Sequence, residues 1–319
     1  MVDDDDDEAP GEETFVPFSA GRARAARASR TRAPQAATAT VVEMVGKWVR
    51  VRLDDEIGVE RRLRVRAEVV AGDRVWLEGE GEMQVVGGFE PRRTELRRSG
   101  NSGIRVVCAN ADVLAIVSAT QDPPFRPGLI DRMLVAAASA GMTAALVLNK
   151  CDTGMPEEVL ERLAIYEDLG VPVFMLSALQ AKNLDGLRDF LHGRTTVLAG
   201  HSGVGKSSLL RALVPDVHRA VGHVDEWGRG RHTTTGACAF ELPPVPGKAP
   251  GVLVDLPGVR EYGVGFVLKH ELRTLFPELT ELRCKFQDCL HDGEDGCLAD
   301  DACEAQRLES YRKLLEECL

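Results

Sequence analysis

The chain has 319 residues, 44% of them hydrophobic and 5% aromatic, the makeup of an ordinary globular protein with room for two or three domains of roughly 100–200 residues each. No uninterrupted apolar run reaches the ~18 residues of a membrane span, and the opening Asp3 to Asp7 lacks the basic start and apolar core of an export signal, so a cytoplasmic protein without a membrane partner is expected. The formal charge of −11 argues against a nucleic-acid partner only on average. Phosphate contact depends on local basic surface, and Arg22 to Arg32, residues 47–66, and Arg92, Arg93, Arg97 and Arg98 are three such stretches.

Residues 1–40 are rich in Asp and Glu, then in Arg, Ala, Pro and Thr, with little to bury, and are expected as a disordered acidic and basic tail. Over residues 41–100, the runs 47–53, 62–66 and 74–77 alternate apolar with charged at period two, with Gly or Asp between them. They predict a small antiparallel unit whose length of about sixty residues suits a closed barrel of the OB type, another small barrel being the alternative. Trp48 and Trp76 within it are expected in the core, with stacking on bases as the other use.

Residues 101–268 change character. Apolar strands are expected at 112–118, 143–148, 171–176, 195–198 and 252–255, with helices at 129–140, 157–169 and 184–191. Strands alternating with helices predict an α/β domain with a parallel sheet covered on both faces. Residues 269–319 hold a Cys/His cluster and a final helix from residue 305, and predict a zinc-binding α-rich domain.

Every motif falls just after a strand, where open α/β sheets bind ligands. Gly200-His201-Ser202-Gly203-Val204-Gly205-Lys206-Ser207 fits the phosphate-loop pattern G-x-x-x-x-G-K-[ST]. Its backbone N–H groups would cradle phosphates, Lys206 would reach the β- and γ-phosphates, and the Ser207 hydroxyl would ligate Mg²⁺. The helix opening at Ser208 would add its positive end. Asn149-Lys150-Cys151-Asp152, after the strand at 143–148, is an N-K-x-D pattern. The Asp152 carboxylate would accept both N–H groups on the pairing edge of guanine, which adenine lacks, and such sites reject the wrong ligand by roughly 10⁴-fold or more. Asn149 would bond the purine's other edge, the Lys150 stem would cover the ring, and Ser177-Ala178-Leu179 would present the Ala178 N–H to the guanine oxygen. Downstream, Asp255-Leu256-Pro257-Gly258 is D-x-x-G: Asp255 would hold Mg²⁺ through water and the Gly258 N–H would sense the γ-phosphate. In Gly230-Arg231-His232-Thr233-Thr234-Thr235, Thr234 is favoured as a switch residue over Mg²⁺, with Thr233 its rival. The guanine reader thus precedes the phosphate loop, the reverse of the ordinary order, as in a circularly permuted GTPase.

Val259 follows Gly258 where a water-orienting glutamine often stands. An apolar side chain cannot do that work, so another group or an activating partner must; His232 is the nearest by type, a solvated histidine being the alternative. Slow hydrolysis by the isolated chain is expected. Cys284-x₄-Cys289-x-His291-x₅-Cys297 gathers three of the eight cysteines with a histidine, a closed Cys₃His set suited to one structural zinc, with Cys303 a possible substitute ligand.

These motifs, with Glu90-Pro91-Arg92-Arg93-Thr94-Glu95-Leu96-Arg97-Arg98 between the first two domains, resemble the circularly permuted ribosome small subunit-dependent GTPase A family of bacteria, over roughly residues 42 to 319. The resemblance implies an OB domain, a permuted GTPase and a zinc domain that bind the small ribosomal subunit and its rRNA and release on GTP hydrolysis. Leu256 departs from the family's usual Thr, and the acidic tail extends beyond its core. Nothing suggests an obligate dimer, so a monomer is expected. The alternative is an RNA-binding protein that uses GTP as a conformational ligand with little turnover.

Overall fold

A computed structural model describes residues 38–56, 58–65, 68–79, 81–100, 103–215, 237–256 and 263–319. The first unit is built by the alternation noted above. Five strands, β1 (Ala39–Val45), β2 (Trp48–Leu53), β3 (Glu60–Val65), β4 (Arg74–Glu78) and β5 (Val85–Phe89), run in the order β1-β2-β3-β5-β4. Ala39 pairs with Val75, so β4 returns to β1 and the OB-like barrel closes. Along β2, Val49, Val51 and Leu53 face a core that also holds Val41, Leu63, Val75 and Val86, while Trp48, Arg50 and Arg52 alternate outward. Ala39 and Thr40, expected in the tail, already belong to β1; residues 1–37 lie outside the described part. The two tryptophans are half-buried rather than core: Trp48 lies beneath the Arg62 and Arg64 guanidiniums at 4.7 and 5.1 Å, and Trp76 covers Gly88, where any side chain would strike its ring.

Strands β6 (Glu95–Gly100) and β7 (Gly103–Ala109) form a separate two-stranded hairpin that the sequence pattern did not reveal. Leu96 and Cys108 root its base in the central core, and a register shift between Leu96 and Arg97 separates that base from its outer half.

The central sheet contains β8 (Val113–Ala119), β9 (Thr143–Asn149), β10 (Val173–Met175), β11 (Thr195–Ala199), β12 (Cys238–Glu241) and β13 (Val252–Asp255), in the order β10-β9-β8-β11-β13-β12. All pairings among these strands are parallel except that of β12 with β13, an antiparallel pairing not expected from the sequence. Every residue of β8 is buried, as a strand covered on both faces requires. On one face α1 (Pro127–Ser139) and α2 (Glu157–Asp168) set Met133, Leu163 and Tyr166 against Leu114, Ile116 and Leu146. On the other, α3 (Asp185–Leu191) and α4 (Lys206–Leu213) set Leu187, Leu209 and Leu213 against Val117, Val147 and Leu198. Barrel and sheet are joined where β1 meets β12 at Glu43 and Cys238, with Arg50 contacting both Glu43 (3.1 Å) and Cys238 Sγ (3.2 Å).

The C-terminal unit is α-rich: α5 (Lys269–Thr274), α6 (Pro277–Thr280), α7 (Ala299–Ala302) and α8 (Ala305–Glu317). Its core of Val264, Val267, Leu272, Phe276, Tyr311 and Leu314 is completed by Val135 and Ala138 from α1. At that seam Arg307 is buried between Asp131 of α1 (2.5 Å) and Glu278 of α6 (2.8 Å), and the Tyr166 hydroxyl donates to Asp131 at 3.0 Å. Burial pushes the Asp131 carboxyl up while the Arg307 guanidinium opposes it. Among the described residues, no helix is long and apolar enough to cross a membrane.

Candidate nucleotide and metal sites

The phosphate loop joins β11 to α4 at the C-terminal edge of the sheet. Gly200, Gly203 and Gly205 have φ of 147°, 86° and 94°, a region that L side chains rarely adopt. Space forbids side chains at two of them as well: a Cβ on Gly200 would run into the Val117 carbonyl oxygen, and one on Gly205 into the Asn149 amide. Lys206 folds its ammonium over the loop, donating to the Gly200 carbonyl at 2.7 Å and the His201 carbonyl at 2.9 Å. His201 Nδ1 lies 2.8 Å from the Ser202 carbonyl, Ser207 is exposed on the first turn of α4, and Ser208 beside it is half-buried. Burial draws the Lys206 pKa down and Asp255 partly restores it; burial raises the Asp255 carboxyl and Lys206 opposes that. Asp255 ends β13 in register with Leu198 of β11, the strand that leads into the loop before Lys206.

The N-K-x-D motif of residues 149–152 follows the end of β9, two strands away. Asn149 is 2% exposed and both ends of its amide bond to protein. Its Nδ2 donates to the Val204 carbonyl of the phosphate loop at 2.9 Å, while its Oδ1 accepts from the Lys150 N–H at 2.8 Å and the Ala178 N–H at 2.9 Å. One side chain therefore ties together three segments that the chain order scatters. The sequence pointed to Asn149 and the Ala178 N–H as purine contacts; here they bond each other. This bracketing role was missed, and nothing local in sequence signals a partner so far along the chain. Lys150 takes φ of 64° and its ammonium donates to the Asp122 carbonyl. Asp152 is exposed and accepts from Gln180 Nε2 at 3.3 Å. Ser177 Oγ receives the Gln180 N–H at 3.2 Å, and Leu179 stands 84% exposed beside them. Lys150, Asp152, Ala178 and Lys206 thus share the C-terminal edge of one sheet. His232, Thr233, Thr234, Gly258 and Val259 lie outside the described residues.

The four Cys and His residues of the C-terminal motif also converge. The ligand atoms of Cys284, Cys289, His291 and Cys297 all lie within 4.8 Å of one another. His291 Nδ1 is 3.5, 3.6 and 3.3 Å from the three sulfurs in that order. A tetrahedral zinc with Zn–S of about 2.3 Å and Zn–N of about 2.0 Å needs ligand atoms at about such separations, so the residues fit one ion. His291 takes φ of 60° to aim its ring inward, and burial pushes the Cys289 thiol up to about 12, a cost that a bound cation would reverse. Cys303 turns away, its Sγ 3.9 Å from Glu278, and stands outside the cluster.

Much of the basic sequence is spent internally. Arg92 pairs with the fully buried Asp73 at 2.7 Å, Arg93 with Asp112 at 2.7 Å, Arg97 with Glu95 at 2.7 Å, and Arg52 with Glu241 at 2.8 Å. Arg62 and Arg64 lie over Trp48 on the barrel's face, as Arg92 lies over Phe89 at 4.7 Å.

The RsgA GTPase family profile matches residues 89–265. A small ribosomal subunit biogenesis GTPase RsgA from Pseudomonas putida is 39% identical over 293 residues, covering 86% of this chain and 84% of that protein. Among solved structures, YjeQ from Thermotoga maritima aligns with a TM-score of 0.68 at 26% identity, covering 88% of this chain and 97% of its own. YloQ, described as a circularly permuted GTPase, aligns with a TM-score of 0.63 over 91% and 97%, and at 21% identity attests to the fold alone.

Proposed function

Because the chain belongs to the RsgA GTPase family, we propose that it hydrolyses GTP to GDP and phosphate while bound to the small ribosomal subunit, and that hydrolysis releases it from the maturing particle. The observation that carries this reading is the Asn149 bracket, which sets the guanine-reading loops against the phosphate loop at 2.9 Å. Asp152 reads the pairing edge of guanine and the Lys150 stem covers the ring. The loop from Gly200 to Ser208 receives the phosphates, and Lys206 exchanges its two carbonyl partners for phosphate oxygens.

Mg²⁺ is assigned to the Ser207 hydroxyl, to Asp255 through water, and to Thr234. Bound there, it would neutralise charge on the transferring phosphoryl group. Gly258 is the γ-phosphate sensor and His232 the candidate for orienting water. With Val259 unable to do so, turnover is slow until the subunit supplies what is missing. One zinc held by Cys284, Cys289, His291 and Cys297 is structural, since the four protein ligands leave no open position. The barrel face bearing Trp48, Arg62 and Arg64 is assigned to rRNA. The working form is a cytoplasmic monomer.

Sedimentation with purified small subunits, in a non-hydrolysable GTP analogue and then in GDP, tests the cycle. Stronger association in the analogue and subunit-stimulated GTP turnover are expected. Equal association in both states would remove the release step, and ATP outcompeting GTP would remove the assignment of Asp152.

A further inference from the structure

The loop that leaves β8 holds the N-K-x-D segment at several points. Asp152 sits in the middle of a single 3₁₀ turn, Cys151–Thr153, and among the described residues its carboxylate receives the 3.3 Å bond from Gln180 and no other. The aim of that carboxylate is therefore set by the backbone of the turn. Lys150 enters the turn at φ of 64° and Gly154 leaves it at 117°, so neither end is continued by a helix or a strand. Contacts from outside the turn have to hold it.

Thr120, Gln121 and Asp122 supply them from the β8 side. The Thr120 hydroxyl stands 3.2 Å from both the Lys150 carbonyl and the Thr153 hydroxyl and donates to one or the other. The Thr153 hydroxyl and N–H donate to that same carbonyl at 2.8 and 3.0 Å. Gln121 Nε2 donates to the Thr153 carbonyl, and the Asp122 carbonyl accepts the Lys150 ammonium, which pins the Lys150 stem at its far end. The same loop reaches the phosphate side of the site, where a Cβ on Gly203 would stand 3.5 Å from Pro123. Thr120 is 3% exposed and Gln121 is exposed. Removing the Thr120 hydroxyl orphans no buried group, because the Lys150 carbonyl keeps both Thr153 donors.

We propose that Thr120 and Gln121 are positioning residues that aim Asp152 at the pairing edge of guanine and so set the selectivity of the site among purines. The proposal deepens the reading of Asp152 given above and rests on it. Asp152 would meet two N–H groups of guanine, whereas hypoxanthine lacks the exocyclic amine and offers one. GDP against inosine diphosphate, IDP, therefore reads the aim of the carboxylate, because ribose and phosphates are the same in both. The wild-type chain should hold GDP ~10–150-fold more tightly than IDP, the worth of one charge-assisted bond. Thr120→Val with Gln121→Met removes both side-chain grips at nearly constant volume and should shrink that ratio at least about fivefold. A general loosening of the site would weaken both nucleotides alike and leave the ratio standing. Thr120→Ser keeps the hydroxyl and should keep the wild-type ratio.

Titration of GDP and of IDP into the full chain, followed calorimetrically, measures the ratio, with Asp152→Asn as the reference. In the Asp152→Asn background the two further substitutions should leave the ratio where it is, the signature of residues that act through that carboxylate. A ratio that Asp152→Asn does not change would remove the guanine assignment of Asp152 and the proposal with it. A ratio that falls in Asp152→Asn yet stays at the wild-type value in Thr120→Val with Gln121→Met, or a loss of GDP and IDP affinity in equal proportion, would overturn the positioning role and leave Asp152 as the guanine reader. Should Thr120→Val fail to fold, Gln121→Met alone, at an exposed position, should lower the ratio about two- to threefold, and an unchanged ratio there would overturn the proposal.

Discussion

Replacing Asn149 with alanine isolates the bracket on which the nucleotide site is built. The change removes one N–H···O bond to Val204 and two bonds accepted from Lys150 and Ala178, all between 2.8 and 2.9 Å at a residue 2% exposed. At a net contribution of about 1 kcal/mol per buried bond, the loss is about 3 kcal/mol. Thermal unfolding should fall by ~6–12 °C, at ~2–4 °C per kcal/mol for a domain of this size. If the same energy sets the two halves of the site against each other, nucleotide affinity should weaken by ~10²-fold, because each 1.4 kcal/mol is tenfold. GTP and GDP should suffer alike, since the bracket lies at the guanine end and below the first phosphates. Calorimetric melting together with fluorescent-nucleotide titration measures both. An Asn149→Ala protein that melts within ~2 °C of wild type, or one that loses GTP while keeping GDP, would refute the bracket as the organising contact.

Four further outcomes follow from the same geometry. Asp152→Asn removes two charge-assisted acceptors for guanine, at about 1.5–3 kcal/mol each, so guanine nucleotide binding should weaken by ~10²–10⁴-fold with little change in melting, because Asp152 is exposed and holds only a 3.3 Å bond to Gln180. Asp255→Asn should abolish Mg²⁺-dependent hydrolysis yet raise stability at neutral pH. Burial lifts the Asp255 pKa in the folded state, so ionising it costs stability; the gain over wild type should be absent below the ordinary carboxylate pKa, grow as pH rises toward the lifted value and level off above it, read from melts across pH. Elemental analysis should find one zinc per chain, lost in Cys297→Ser and retained in Cys303→Ala; retention of metal in Cys297→Ser would break the assigned set. Arg307→Ala strands the Asp131 carboxylate at the seam of α1 and α8 and should cost about 3–5 kcal/mol in chemical denaturation, whereas Asp131→Asn combined with Arg307→Met should recover most of it.

The sequence made legible whatever repeats at short range. Alternation gave β2, the unbroken apolar run gave β8, and the glycine spacing gave the phosphate loop, because each of these is a local steric or burial requirement. The Cys₃His cluster was equally readable, since four ligands within a short segment need little else to bring them together. What escaped depends on partners remote in the chain. Strand β12 is short and takes its direction from β13, not from its own four residues. The β6–β7 hairpin has arginines where alternation would place apolar residues, and it is rooted in the central core by Leu96 and Cys108, with Val107 packed beside them. Arg92 and Arg93 read as a basic patch, yet Asp73 and Asp112 claim them. Arg307 looks like any charge on an amphipathic helix until Asp131 and Glu278 close over it. Asn149 was recognised as a functional residue, but its work as a tie between loops is visible only once the loops are in place.

The order of strands in the central sheet bears on how the chain is made. β11 lies between β8 and β13, yet it is translated after β8, β9 and β10. During vectorial synthesis the nascent polypeptide therefore exposes one flank of β8, a seven-residue apolar strand, until β11 inserts beside it. An open flank of that kind invites pairing with other chains, so a translational pause between α3 and β11 is the moment of greatest aggregation hazard. Insertion of β11 closes that flank and leads directly into the loop at residues 200–207, while β13 and β12 have still to be added on its far side.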